Sequence, residues 1–106
     1  MVGGKYEKWA DWLISAVRFD PAGSLIVRAR CHFDLVGEIG SPVELKREEI
    51  IEQMLAGMSF CTILASSEAV WEKGEEVHLF PVKGEDFLKT VADFYKKDNL
   101  DNLPTF

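Results

Sequence analysis

One stretch, residues 42–64 with the sequence PVELKREEIIEQMLAGMSFCTIL, most limits what this chain can fold into. It holds the one strong helix signal. Ile50, Ile51, Met54 and Leu55 recur at i, i+1, i+4 and i+5, forming a single apolar stripe. Glu48, Glu49 and Glu52 fall in the early turns, where the helix macrodipole favours negative charge. Gly57 stands where a helix ends in a left-handed residue. Lys46 occupies the position at which Ser, Thr or Asp would cap the start. Val43 and Leu45 suit a short strand before the helix, and MSFCTILA after it (residues 58–65) reads as a central strand with few polar groups on either face. A lone helix set among strands points to an α+β domain.

The flanking segments supply those strands. Residues 12–19, WLISAVRF, are rich in β-branched and aromatic side chains. Asp20-Pro21-Ala22-Gly23 follows, with the residue types a tight turn asks for at each position. The returning strand, 24–34, alternates. Leu25, Val27, Ala29, Cys31 and Phe33 form a core face, and Arg28, Arg30, His32 and Asp34 form a wet face. Gly37, Gly40, Ser41 and Pro42 mark a loop. Turns are expected at 66–68 and 73–75, with a brief extended piece at 69–71 between them. Residues 76–82 read as a strand whose Pro81 suits an edge or a strand end. Lys83-Gly84 then turns into a strand over 85–92. The expected architecture is α+β: a curled antiparallel sheet or small open barrel of about five strands with one central α-helix, in the order β-β-α-β-β-β. Its core is expected to place Ile50, Ile51, Met54 and Leu55 above Phe60 and Ile63.

A chain of 106 residues forms one domain, 1–106, with residues 1–8 expected to be flexible. Twelve Lys and Arg against 18 Asp and Glu give a formal charge of −6. That field repels phosphate backbones and anionic lipid, so neither general nucleic-acid binding nor membrane association is expected. The opening MVGGKYEKWADWLI lacks the uninterrupted apolar run of a signal peptide, and no segment is long and apolar enough for a membrane span. The expected location is the cytoplasm. Cys31 and Cys61 lie in apolar runs and read as buried thiols of a reducing compartment; a disulfide requires that their strands be neighbours.

Three segments carry a family resemblance: WLISAVRFD near the start, PVELKREEIIEQMLAG in the middle and KKDNLDNLPTF at the close. They resemble a family of small bacterial domains of unknown function with an ISAVRYD-type first strand and a DNLGNLP-type C-terminal segment. Asp98-Asn99-Leu100 and Asn102-Leu103-Pro104 match at their spacing. The chain departs from the pattern at Asp101, where Gly is usual, and at Lys46, where a Ser-type cap is usual. The resemblance implies a fold over residues 12–106 and no assigned activity.

The basic row Arg28, Arg30 and His32, with Arg18 facing it from the paired strand, is the leading candidate binding site. Alternate strand residues project side by side, so these groups can meet a phosphate, a carboxylate or an acidic partner. The competing reading pairs them with Asp34, Glu38, Glu44 or Glu48 on a solvated face. His78 shares a strand face with Glu76, but no nucleophile stands at a diagnostic spacing, and no catalytic residue is assigned. Cys31 and His32 are adjacent in a strand and point to opposite faces, while Cys61 and His78 have no paired spacing, so no metal site is expected. No phosphate-binding glycine motif occurs, and no cofactor is expected. Leu100, Leu103, Pro104 and Phe106 either dock on another protein or a second copy, or pin the segment onto the chain's own core. Asn99 and Asn102, suited to turn hydrogen bonds, favour the latter. The functional expectation is a non-enzymatic protein-binding or adaptor module, acting on another protein or by self-association. The alternative is a small-ligand or anion-binding protein, or a weakly signalled enzyme, using the Arg28/Arg30/His32 face with His78 lining the same pocket.

Overall fold

The computed structural model of this chain describes residues 8–65, 70–91, 93, 95–100 and 103–106. Residues 1–7 of the flexible start expected at 1–8, the turn at 66–68, and Asp101 and Asn102 lie outside the described residues. The elements are β1 (Trp12–Phe19), β2 (Ile26–Phe33), β3 (Val43–Lys46), α1 (Arg47–Leu55), β4 (Phe60–Ala65), β5 (Trp71–Val82) and β6 (Glu85–Lys89). The six strands form one sheet in the order β3-β2-β1-β4-β5-β6. Among the described residues it is a mixed sheet of six strands with one short helix and does not close into a barrel, in place of the expected curled antiparallel sheet or small open barrel of about five strands; the α+β class holds. Every neighbouring pair is antiparallel except β1 and β4, where Trp12, Leu13 and Ile14 face Phe60, Cys61 and Thr62 in parallel. The helix is the reason. A crossover through α1 returns the chain in the direction of β3, which is also that of β1, so β4 enters the sheet parallel to its neighbour.

The first hairpin forms where the turn residues place it. Gly23 adopts φ +73°, and its N–H donates to the Asp20 carbonyl at 2.9 Å. The Asp20 carboxylate accepts the Ser24 and Leu25 N–H groups at 2.9 and 3.2 Å. Two bulges then reset the alternation: Ser15 is the extra residue on β1, and Val27 is the extra residue on β2. The even Leu25–Val27–Ala29 face read from the sequence therefore does not survive. Ile26 is fully buried, whereas Val27 stays 38% exposed.

The sheet buries side chains on both faces. Leu13 and Ile14 are consecutive in β1 and so point oppositely. Ile14 joins Trp12, Val17, Ile26, Ala29, Cys31, Ile50, Phe60, Leu88, Leu100 and Leu103 beneath the helix. Leu13 joins Ala10, Cys61 and Ile63 on the other side, with Trp9 and Ile39 packed against them. Cys31 faces Ile14 and Cys61 faces Leu13, so the two thiols lie on opposite faces of the sheet and both are free. Ile63, expected beneath the helix, belongs to the opposite face.

Within α1 only Ile50 is buried; Ile51 and Met54 are half-buried and Leu55 is exposed. The four-residue stripe is thus narrower in the fold: Ile50 enters the core, Ile51 and Met54 pack against it, and Leu55 does not. Its start is secured from inside. The Lys46 N–H donates to Glu49 Oε1 at 2.8 Å, the half of a capping box that needs no Ser or Thr. Gly57, at φ +100°, ends it as expected.

The expected turn at residues 73–75 is instead a bulge inside a continuous β5. Gly74 sits against Thr62, whose hydroxyl oxygen a Cβ there would overlap, and that oxygen accepts the Glu75 N–H at 2.9 Å. Here glycine signals close approach rather than a turn. Pro81 lies beyond the part of β5 that pairs with β4 and faces Asp86 of β6, in keeping with a strand end. After β6, Leu100 and Leu103 enter the core and pin the closing segment onto the chain itself.

Candidate functional site

The register of β1, β2 and β3 builds one charged surface. Arg18 faces Arg28, and Arg28 faces Lys46, so three cations stand in one row across three strands. The next row carries Ala16, Arg30 and Glu44. Directly facing residues of antiparallel neighbours share a face, and strands lie about 4.8 Å apart, so these groups are close together. Like charges set opposite each other repel, and the acid available within the two rows is Glu44. It pairs with Arg28, Nη1 to Oε1 at 3.1 Å, and both partners are well exposed.

Phe106 completes the surface. The segment at 104–106 runs beside β1, with the Val17 N–H donating to the Pro104 carbonyl at 3.0 Å and the Phe106 N–H donating to the Val17 carbonyl at 3.1 Å. This brings the Phe106 ring under two guanidinium groups, Arg18 at 4.8 Å and Arg30 at 4.7 Å from its centroid. Arg18 Nε also donates to the Phe106 main-chain oxygen at 2.9 Å. The Arg30 guanidinium has no acid within ion-pair distance among the described residues. A hollow of about 180 Å³ opens beside it, lined by Arg30, Pro42, Glu44 and Phe106. A site for a drug-sized ligand is larger, roughly 300 Å³ and upward, so this hollow suits one side chain or one small anion.

His32 lies on the same face but is buried, not exposed beside the arginines. Its Nδ1 lies 2.9 Å from the Gly40 carbonyl and its Nε2 lies 2.8 Å from Ser15 Oγ. A carbonyl only accepts, so Nδ1 carries the proton, and in the neutral ring Nε2 accepts the Ser15 hydroxyl. The bulge in β1 is what aims Ser15 at the ring. The imidazole thereby ties β1, β2 and the loop at Gly40 together.

Arg28, Arg30 and His78 do not line one pocket. The arginines are on β2 and His78 is on β5, with β1 and β4 between them. His78 stands on an exposed strand face, its Nε2 3.9 Å from Glu76 Oε1 and its ring edge-on to Phe80. Among the described residues no group of three potential metal ligands occurs. No described helix is long and apolar enough to cross a membrane.

Two members of the charged surface are absent from the row read in the sequence. Lys46 carries a local signal, since Val43-Glu44-Leu45-Lys46 alternates like a half-buried strand, but the same residue also stands at the helix start. No local signal connects Phe106 with β1, because their contact spans 88 residues between Arg18 and Phe106.

Comparison with known proteins adds a family and no activity. No curated protein and no solved structure matches the chain. The model of one family, described as a protein of unknown function (DUF3892), matches residues 14–104, which span all six strands but the start of β1. The chain therefore belongs to the DUF3892 family of proteins of unknown function.

Proposed function

We propose that this domain is a non-enzymatic protein-binding module that receives an acidic segment of another protein on the face formed by Arg18, Arg28, Arg30 and Lys46. The observation that carries this reading is the row Arg18–Arg28–Lys46, three facing cations on a chain of net charge −6. Such a row is unfavourable on its own and is relieved by an anion laid across it. The small hollow beside it takes a residue rather than a cofactor. The overall charge of −6 repels a long, densely charged nucleic-acid backbone more strongly than a short acidic segment. Two buried free thiols fit a reducing compartment, the cytoplasm in this reading.

The test is fluorescence anisotropy with a labelled peptide of glutamate and serine, titrated at low and at raised salt. Binding that weakens with salt is expected for the wild type. The double variant Arg28→Glu with Lys46→Glu is expected to lose it while melting at the same temperature or higher. Absence of peptide binding at low salt, or equal binding by the folded double variant, overturns the proposal.

A further inference from the structure

Arg30 differs from its neighbours. Arg28 is engaged by Glu44, and Arg18 spends its Nε on the Phe106 main-chain oxygen. The Arg30 guanidinium instead lies over the Phe106 ring, at the wall of the hollow, with no ion pair among the described residues. A guanidinium held near a ring and not paired with an acid keeps N–H donors for a further acceptor. Its forked donors match a planar acceptor with two oxygens. Glu44 lines the same hollow and contributes a negative charge there. That charge opposes a phosphate dianion more strongly than a single carboxylate.

We infer that the group this site receives is a carboxylate side chain, taken bidentately by Arg30 in the hollow between Pro42 and Phe106, and that Phe106 is the positioning residue that holds the Arg18 and Arg30 guanidinium groups in place. The inference rests on the reading of this face as an acidic-segment site and makes it more specific. It gives the closing segment a second role beyond plugging the core. Leu103 is buried, whereas Phe106 is only half-buried and has its ring against two cations.

The experiment compares three peptides alike except at one central residue: glutamate, phosphoserine or glutamine. The wild type is expected to prefer glutamate over both. Phe106→Leu keeps an apolar side chain but removes the ring; it should weaken glutamate-peptide binding about three- to fivefold and reduce the preference over phosphoserine. Phe106→Tyr should restore both. Arg30→Lys keeps the charge and loses the fork, and a loss of about tenfold is expected. A merely structural role for Phe106 would lower the melting temperature without moving the glutamate-to-phosphoserine ratio. Tighter binding of phosphoserine, or wild-type behaviour in folded Phe106→Leu, overturns the inference and leaves the acidic-segment reading standing. If Phe106→Leu fails to fold, Arg30→Lys decides alone, with unchanged affinity counting against. If the wild type binds none of the peptides, both readings fall.

Discussion

Arg47 and Asp98 meet through two parallel hydrogen bonds, Nε to Oδ2 at 2.8 Å and Nη2 to Oδ1 at 3.0 Å, across 51 residues of sequence. The Asp98 side chain is fully buried, and its oxygens also accept the Ile26 and Leu88 N–H groups, each at 2.8 Å. Arg47 reaches further, donating to the Asp86 carbonyl at 2.9 Å. One carboxylate thus joins the start of β2, the edge strand β6 and the first turn of α1. The hydrogen bond to Asp98, before any other influence, raises the pKa of Arg47 above its ordinary value. This interlock gives the Asp98-Asn99-Leu100 segment a structural reason, with the Asp98 N–H on the Ser24 carbonyl and the Asn99 N–H on the Leu88 carbonyl, both at 2.8 Å.

Breaking a buried pair from one side leaves the other charge without compensation. Asp98→Ala is expected to destabilise the domain by about 3–5 kcal/mol, which urea unfolding measures. A double-mutant cycle with Arg47→Met should show strong coupling between the two sites. Additive losses from the two single variants would rule out the interlock.

Ile50 carries the contact between the helix and the sheet. Ile50→Ala should cost about 2–4 kcal/mol in the same assay. Leu55→Ala should stay within about 0.5 kcal/mol, since the Leu55 side chain is 73% exposed. Equal losses at the two positions would mean that the helix packs through its whole stripe.

Acid should weaken the fold through hydrogen-bonded carboxylates. The Ser59 N–H first, and then Lys8, hold Asp11 below its ordinary value of 3.8. The Ser24 and Leu25 N–H groups do the same for Asp20. Both folded values lie below the unfolded one, so their contribution is present above about pH 4 and is lost as the pH falls through the folded values. Melting temperature followed from neutral pH downward should therefore drop through that window. The drop should be shallower in Asp20→Asn, and an identical acid limb in that variant would contradict the assignment.

The thiols should be inert in the native state. Burial pushes Cys31 up to about 12, with Glu49 adding to the effect. At pH 8 that leaves roughly one thiolate in ten thousand, and the thiolate is the reactive form. Desolvation raises Cys61 as well. A colorimetric thiol reagent should react slowly with the folded protein and rapidly in urea. Fast native reaction of Cys31 would show that the core opens locally.

Much of the architecture is legible along the chain because its signals are local. The strand 12–19, the Asp20–Gly23 turn and the Gly57 helix stop depend on side-chain shape and φ preference within a few residues. The same locality misleads wherever an extra residue or a close approach intervenes. The bulge at Val27 turned an even alternation into Ile26 in and Val27 out, and Gly74 read as a turn when it serves contact with Thr62. Arg28 and Arg30 are legible as one face, since alternation within a strand fixes direction, and Arg18 joins them through the register of the hairpin. The burial of His32 was not, because it depends on Ser15 and Gly40 arriving from elsewhere.

By itself, the sequence determined where the first hairpin turns, where the helix stops and which side chains of β2 are cationic, all through interactions reaching a few residues. Only the tertiary structure decided that β4 lies parallel to β1, that Lys46 extends the arginine row, that Asp98 receives Arg47 and that Phe106 lies under Arg18 and Arg30. Those contacts join residues far apart in the chain. Their partners are chosen by which strands become neighbours in the sheet, and no local preference encodes that choice.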